Sequence, residues 1–215
     1  MITGAYAHGL DQSPANHVPL TPLGFLDRAA LVHPERVAII HGELQRTWAQ
    51  TRDRCYQLAS ALVGRGIHPG DTVSILSPNT PAMVEAHLGI PLSGAILNTI
   101  NHRLDTEGIA FILRHSECKL LLVDCEYMAV ASAALERLDC RPAVINIRDH
   151  LAAVCADSQV LDYESLLAEG DATFEGVWPS TEWQPIALNY TSGTTGDPKG
   201  VVVSHRGTYL MSLLQ

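Results

Sequence analysis

Between residues 36 and 147, short apolar runs alternate with longer stretches whose apolar positions recur every three to four residues. Runs 36–41, 72–77, 119–124 and 143–147 read as strands, most of them apolar enough to be buried on both faces. Residues 95–100 make a shorter extended piece, and Gly42-Glu43 a turn into 44–46. Helical spacing fills the gaps. Leu23, Leu26, Ala30 and Leu31 share one face behind a Thr21-Pro22 start, and Pro34 stops them. Thr47 caps a second helix whose stripe is Trp48, Cys55, Leu58, Ala59 and Leu62, ended by Gly64 and Gly66. Helices follow from Pro81 to about residue 92, over 105–115 and over 126–138. The alternation predicts an α/β fold, mostly parallel sheet(s) flanked by helices, with ligands beyond the carboxyl ends of the strands.

The pattern loosens over 151–183, where 162–169 is a short helix and 170–184 is polar and irregular. Three parts are expected: residues 1–20 as a surface arm, 21–175 as an α/β subdomain, and 176–215 as the start of a second sheet layer carrying a phosphate-binding loop. The last part is expected to be truncated, because the closing helix has no cap before Gln215.

Composition excludes more than it selects. A chain of 215 residues buries roughly 70% of its unfolded surface and needs no covalent staple. Lys plus Arg number 14 against 23 acidic residues, a net charge of −9, the wrong sign for a phosphate-backbone binder, so no nucleic acid is expected. Five cysteines at irregular gaps form no C-x-x-C pair, and ten histidines show no ligand spacing, so reduced thiols are expected rather than a disulfide frame or zinc site. No signal peptide or transmembrane segment is legible, and the expected compartment is cytoplasmic.

One segment concentrates chemistry. An apolar strand, 186–190, runs into Thr191, Ser192, Gly193, Thr194, Thr195 and Gly196, then Asp197-Pro198-Lys199-Gly200, a short apolar strand 201–203 and a helix starting near Ser204. Glycines let successive amides turn toward one centre, hydroxyls add donors, and Lys199 adds a full positive charge. Such a nest suits di- or triphosphate oxygens, each charge-assisted bond contributing about 1.5–3 kcal/mol. It is not the loop of kinases and GTPases, because Pro198 stands where the second glycine of that pattern belongs. Gly64-Arg-Gly66-Ile-His-Pro-Gly70 is no dinucleotide fingerprint either, having one residue too many and following a helix.

The stretch Tyr190-Thr-Ser-Gly-Thr-Thr-Gly-Asp-Pro-Lys-Gly-Val resembles the signature loop of the adenylate-forming (AMP-binding) superfamily, which includes acyl- and aryl-CoA ligases, luciferase and peptide-synthetase adenylation domains. Gly70-Asp-Thr-Val-Ser-Ile-Leu-Ser-Pro-Asn, Gly94-Ala-Ile-Leu-Asn-Thr and Leu121-Leu-Val-Asp124 are similar to its earlier elements. The stretch beginning Asn16-His-Val-Pro-Leu-Thr-Pro is most similar to the acyl-CoA synthetase (fatty-acid–CoA ligase) branch. The resemblance implies that Thr191, Ser192, Gly193, Thr194, Thr195, Gly196 and Lys199 hold the β- and γ-phosphates of ATP. It implies Lys199 as the catalytic charge stabiliser and Thr191 as a Mg²⁺ neighbour. The implied activity is that of an AMP-forming acid–thiol ligase of fatty-acid metabolism. A short- or medium-chain fatty or aromatic acid becomes an acyl-adenylate and then an acyl-CoA. Implied partners are the acid, ATP and CoA, with a homodimer as the expected assembly. The resemblance places the CoA site, acyl pocket and catalytic lid beyond Gln215, so the chain is expected to be an incomplete amino-terminal portion, inactive alone. Two alternatives stay open: an adenylation domain loading a carrier protein, and a non-catalytic nucleotide-binding module.

Weaker signals have plainer readings. Ser204-His205 is a helix cap rather than a nucleophile–base pair, since sequence neighbours rarely face each other. Asn189-Tyr-Thr191 matches a glycosylation sequon by coincidence. Asp124 closes an apolar strand where active-site rims lie, but a turn or cap is the expected role.

Overall fold

A computed structural model describes residues 4, 8–9, 11–153, 155, 160–191 and 198–214. The elements in order are α1 (Leu23–Val32), β1 (Val37–His41), β2 (Leu44–Thr47), α2 (Trp48–Gly64), β3 (Thr72–Leu76), α3 (Pro81–Leu92), β4 (Ile96–Thr99), α4 (Thr106–His115) and β5 (Leu120–Asp124). A 3₁₀ turn at Cys125–Tyr127 leads to α5 (Met128–Leu135), β6 (Ala143–Ile147), α6 (Tyr163–Ala168), β7 (Pro185–Thr191), β8 (Lys199–Ser204) and α7 (His205–Ser212). Strands β1 and β2 form their own antiparallel ribbon; the other six make one sheet in the order β6-β5-β3-β4-β7-β8. All neighbours in it are parallel except β7 and β8.

Strand β5 shows why the continuous apolar runs are strands. All five of its residues are buried. Leu120 and Leu122 point into a core with Leu58 and Leu62 of α2, Ile90 of α3 and Leu166 of α6. Leu121 and Val123 point the other way, onto Ile109, Ile112 and Leu113 of α4 and Ala131 of α5. The period of two therefore feeds two cores, one on each face, as a helix-covered parallel sheet requires. Helix α1 adds a smaller cluster, Leu23 and Leu26 against Tyr56 and Leu92. Helices α2 and α3 approach so closely that a Cβ on Gly89 would lie 2.8 Å from Leu58 Cδ2 and 2.9 Å from the Cys55 carbonyl oxygen.

The helix starts follow from local chemistry. Thr47 caps α2 in a reciprocal box: its hydroxyl accepts from the Gln50 amide at 3.3 Å, and Gln50 Oε1 accepts from the Thr47 amide at 2.9 Å. Asp124 caps the turn after β5, accepting from the Glu126 amide at 3.0 Å. Ser204 caps α7 through the Gly207 amide at 3.2 Å, which settles its reading as a cap. Pro22 sits one residue before α1 rather than inside its first turn, and Thr21 Oγ1 accepts from the Leu23 amide.

Polar contacts tie the helices to the ribbon. Glu85 of α3, fully buried, accepts from Arg46 at 2.6 Å, from Arg54 at 2.7 Å and from the Tyr163 hydroxyl at 2.9 Å. Two basic groups and a phenol surround one carboxylate, so its desolvation is compensated on every side.

Two expectations are corrected. The sequence predicts a second sheet layer from residue 176; instead β7 pairs with β4 in parallel register, Asn98 beside Leu188, and extends the first sheet. An irregular connection in the sequence does not reveal whether the next strand joins an old sheet or a new one. The sequence also predicts only free thiols, whereas Cys125 and Cys155 are joined as a disulfide across 30 residues of sequence. The chain returns over the end of β5 after β6, and this closure leaves no mark in local spacing. Cys55 and Cys118 are buried free thiols and Cys140 is an exposed one.

Candidate functional site

The β7–β8 hairpin positions the segment singled out in the sequence. Its register sets Leu188 opposite Val202, Asn189 opposite Val201, Tyr190 opposite Gly200 and Thr191 opposite Lys199. Thr191 and Lys199 are thus brought face to face at the mouth of the hairpin, both exposed. Ser192, Gly193, Thr194, Thr195 and Gly196 lie outside the described residues. Because β7 runs parallel to β4, β3 and β5, the mouth opens at the carboxyl edge of the sheet. That is where the pattern of strands placed a ligand.

The base of the hairpin is held by a polar ladder that sequence reading missed. Ser74 Oγ of β3 donates to Asn98 Oδ1 of β4 at 3.0 Å, and Asn98 Nδ2 donates to the Leu188 carbonyl of β7 at 2.7 Å. One residue on, Thr99 Oγ1 donates to Asn189 Oδ1 at 2.9 Å. Three strands are therefore locked side by side by groups that would be costly to bury unpaired. Tyr190 is anchored from the other side: its hydroxyl meets His115 Nδ1 at 2.7 Å, and the two rings cross edge-on. Phe111 stacks on His115 with centroids 5.4 Å apart. Burial pushes the Tyr190 phenol above its usual range, so it stays protonated at neutral pH and keeps this bond. Gly200 fits beneath: a Cβ there would come within 3.0 Å of Leu188 Cδ1 and 3.6 Å of Tyr190 Cε1. A cleft beside the mouth is lined by Ser77, Asn79, His87, Thr99, Asn101 and Tyr190, mostly hydrogen-bonding groups at strand ends. The Ser74–Asn98 pair could have been suspected from the sequence as polar residues inside apolar strands; the His115–Tyr190 contact spans 75 positions and has no local signal.

An exposed ammonium beside an exposed hydroxyl suits phosphate oxygens. It does not make a metal cage. Among the described residues, the group of three or more His, Cys, Asp and Glu with converging ligand atoms is His41, Asp149 and His150, across the sheet from the mouth. Lys199 brings one ammonium, which cannot ligate a metal, and Thr191 one hydroxyl.

The family model described as AMP-binding enzyme matches residues 26–215. An acetate/butyrate–CoA ligase of Arabidopsis thaliana, named as peroxisomal, is 49% identical over 216 residues, covering 95% of this chain and 38% of its own length. An acetate–CoA ligase of Humulus lupulus is 44% identical, covering 99% of this chain and 39% of its own. Among solved structures, an anthranilate CoA ligase in complex with anthranoyl-AMP superposes with a TM-score of 0.79 at 26% identity, over 88% of this chain and 36% of that one. The chain thus spans well under half the length of the curated relatives it matches. With the family model covering nearly the whole chain and the parallel sheet delivering the hairpin mouth to its carboxyl edge, this protein belongs to the AMP-binding enzyme family.

Proposed function

We propose that the chain carries the nucleotide-gripping end of an AMP-forming acid–thiol ligase, an acyl-CoA synthetase. In this reading residues 191–196 and Lys199 hold the β- and γ-phosphates of ATP. A carboxylate oxygen of a short- or medium-chain fatty acid or an aromatic acid attacks the α-phosphorus. The bond to the bridging oxygen breaks and pyrophosphate leaves. The CoA thiol then attacks the acyl carbon of the adenylate, AMP departs, and the thiol proton passes to solvent. Lys199 neutralises charge that grows on the departing phosphates, and the hairpin register sets its backbone opposite Thr191. The observation that carries this reading is the register pairing Thr191 with Lys199 across the segment similar to the family's loop. Mg²⁺ takes oxygen ligands and keeps several waters, so Thr191 fits as one added hydroxyl beside phosphate oxygens. When bound, the ion would supply further neutralisation of phosphate charge.

The substrate class rests on the relatives, whose names specify acetate, butyrate, benzoate and cinnamate. The activity is proposed for a full-length protein containing this chain. No helix among the described residues is long and apolar enough to cross a membrane. Cytoplasm is the proposed compartment; the peroxisomal label on the Arabidopsis ligase favours a second reading, which imaging of the tagged full-length protein decides.

The deciding experiment is ATP–pyrophosphate exchange by the full-length protein across a panel of carboxylic acids, followed by thioester formation with CoA or with a carrier protein. Exchange driven by a short, medium or aromatic acid, with transfer to CoA, is the expected result. Absence of acid-dependent exchange from a folded protein overturns the ligase reading. Transfer to carrier protein alone moves it to the carrier-loading class.

A further inference from the structure

The opposite end of the same carboxyl edge holds a second convergence of side chains, separated from β7 by β5, β3 and β4. His41 ends β1 of the ribbon, while Asp149 and His150 follow β6. His41 Nε2 lies 2.9 and 3.0 Å from the two oxygens of Asp149, and His150 Nδ1 lies 3.6 Å from Asp149 Oδ1. The ligand atoms of all three lie within 4.8 Å of one another. The imidazole rings stand nearly perpendicular, at 87°, with centroids 5.5 Å apart.

A histidine–aspartate hydrogen bond explains two of these residues but not the third. A tetrahedral metal with bonds of about 2.0–2.2 Å holds its ligand atoms about 3.4 Å apart. The two separations from Asp149, 2.9 and 3.6 Å, bracket that spacing, and the two imidazole nitrogens lie within 4.8 Å of each other. Two imidazoles and one carboxylate are the donor set of zinc-type ions, not of magnesium or calcium. Asp149 is already oriented from behind, its Oδ1 accepting from the Leu151 amide at 3.0 Å, the kind of supporting bond that ligating carboxylates have. A second carboxylate stands nearby. Asp124, only 1% exposed, ends β5 beside Ile147, and among the described residues its Oδ2 has no hydrogen-bond partner. Two arginines of the same cavity wall, Arg46 and Arg54, are engaged on Glu85. The His150 side chain is 55% exposed and leaves the fourth position open to water.

We propose that His41, Asp149 and His150 form a binding site for a divalent zinc-type ion that fastens the β1–β2 ribbon to the end of β6. Arg46 and Glu85 already hold the β2 strand; the ion holds the far end of β1. The site serves no step of the ligase reading and stands or falls without it.

The test is calorimetric titration of Zn²⁺ into chelator-stripped full-length protein in a Cys140→Ser background, which removes the exposed free thiol. One saturable zinc site is expected. His41→Gln and Asp149→Asn should each weaken it by at least about tenfold, and so should His150→Gln, whose exposed position leaves the fold intact. Co²⁺ in place of zinc should give a visible nitrogen/oxygen ligand-field spectrum without a thiolate charge-transfer band. Failure of folded protein to take up zinc saturably overturns the site, as does uptake that His150→Gln leaves unchanged.

Discussion

The two flanks of the six-stranded sheet differ in what surrounds them. Strand β5 is sealed on both faces, with every residue buried, whereas β8 leaves Val201 47% and Val202 65% exposed. One flank gathers methyl groups into two cores; the other presents an antiparallel hairpin whose mouth carries a hydroxyl and an ammonium. On the proposed reading, stability and phosphate binding are divided along one sheet. The buried flank supplies most of the apolar burial, and the exposed flank is free to carry groups that a packed core would penalise.

Substitutions on the two flanks should separate cleanly. Leu122→Ala, at 0% exposure in the larger core, should cost about 2–5 kcal/mol in urea unfolding while any surviving folded enzyme keeps its activity. Lys199→Ala should do the reverse. Single-turnover adenylate formation by the full-length protein should fall by about 10²–10³ with the unfolding midpoint unchanged. An unaltered rate removes Lys199 from the mechanism.

The outer end of the hairpin flank, where α7 begins, should respond to pH. His205 at the start of α7 is buried, its Nδ1 2.9 Å from Thr21 Oγ1, and burial lowers its pKa from 6.5 to about 4. The unfolded chain therefore binds a proton that the folded chain refuses between those values. This contribution to stability is complete above about pH 6.5 and is lost as pH falls toward 4. Urea midpoints measured across that window should drop with falling pH, and His205→Gln should flatten the drop; a parallel slope in the variant assigns the dependence to other groups.

Smaller effects sharpen the same contrast. Thr47→Ala removes the cap of α2 and should cost about 1 kcal/mol in thermal unfolding. Val202→Ala on the exposed strand should stay within about 0.5 kcal/mol of wild type in thermal unfolding of this chain.

Much of this was legible in residue order because the signals are local. The apolar runs around Val73, Leu121 and Ile145 announced buried strands, and Thr47 and Ser204 announced helix starts. The illegible parts depend on partners far apart in the chain. Asn98 reaches Leu188 across 90 positions, Cys125 reaches Cys155 across 30, and His41 reaches Asp149 across 108. The cap at Asp124 was expected and is present.

What the sequence by itself determined about this protein is periodicity, punctuation and one ordered loop motif, since each is encoded within about one turn or strand of chain. Strand order, the joining of β7 to the first sheet, the facing of His115 and Tyr190 and the gathering of His41, Asp149 and His150 were decided only by tertiary structure. Those features arise when elements pack to bury the two apolar faces of a sheet. Packing is a property of the whole chain and leaves no imprint on the spacing of neighbours.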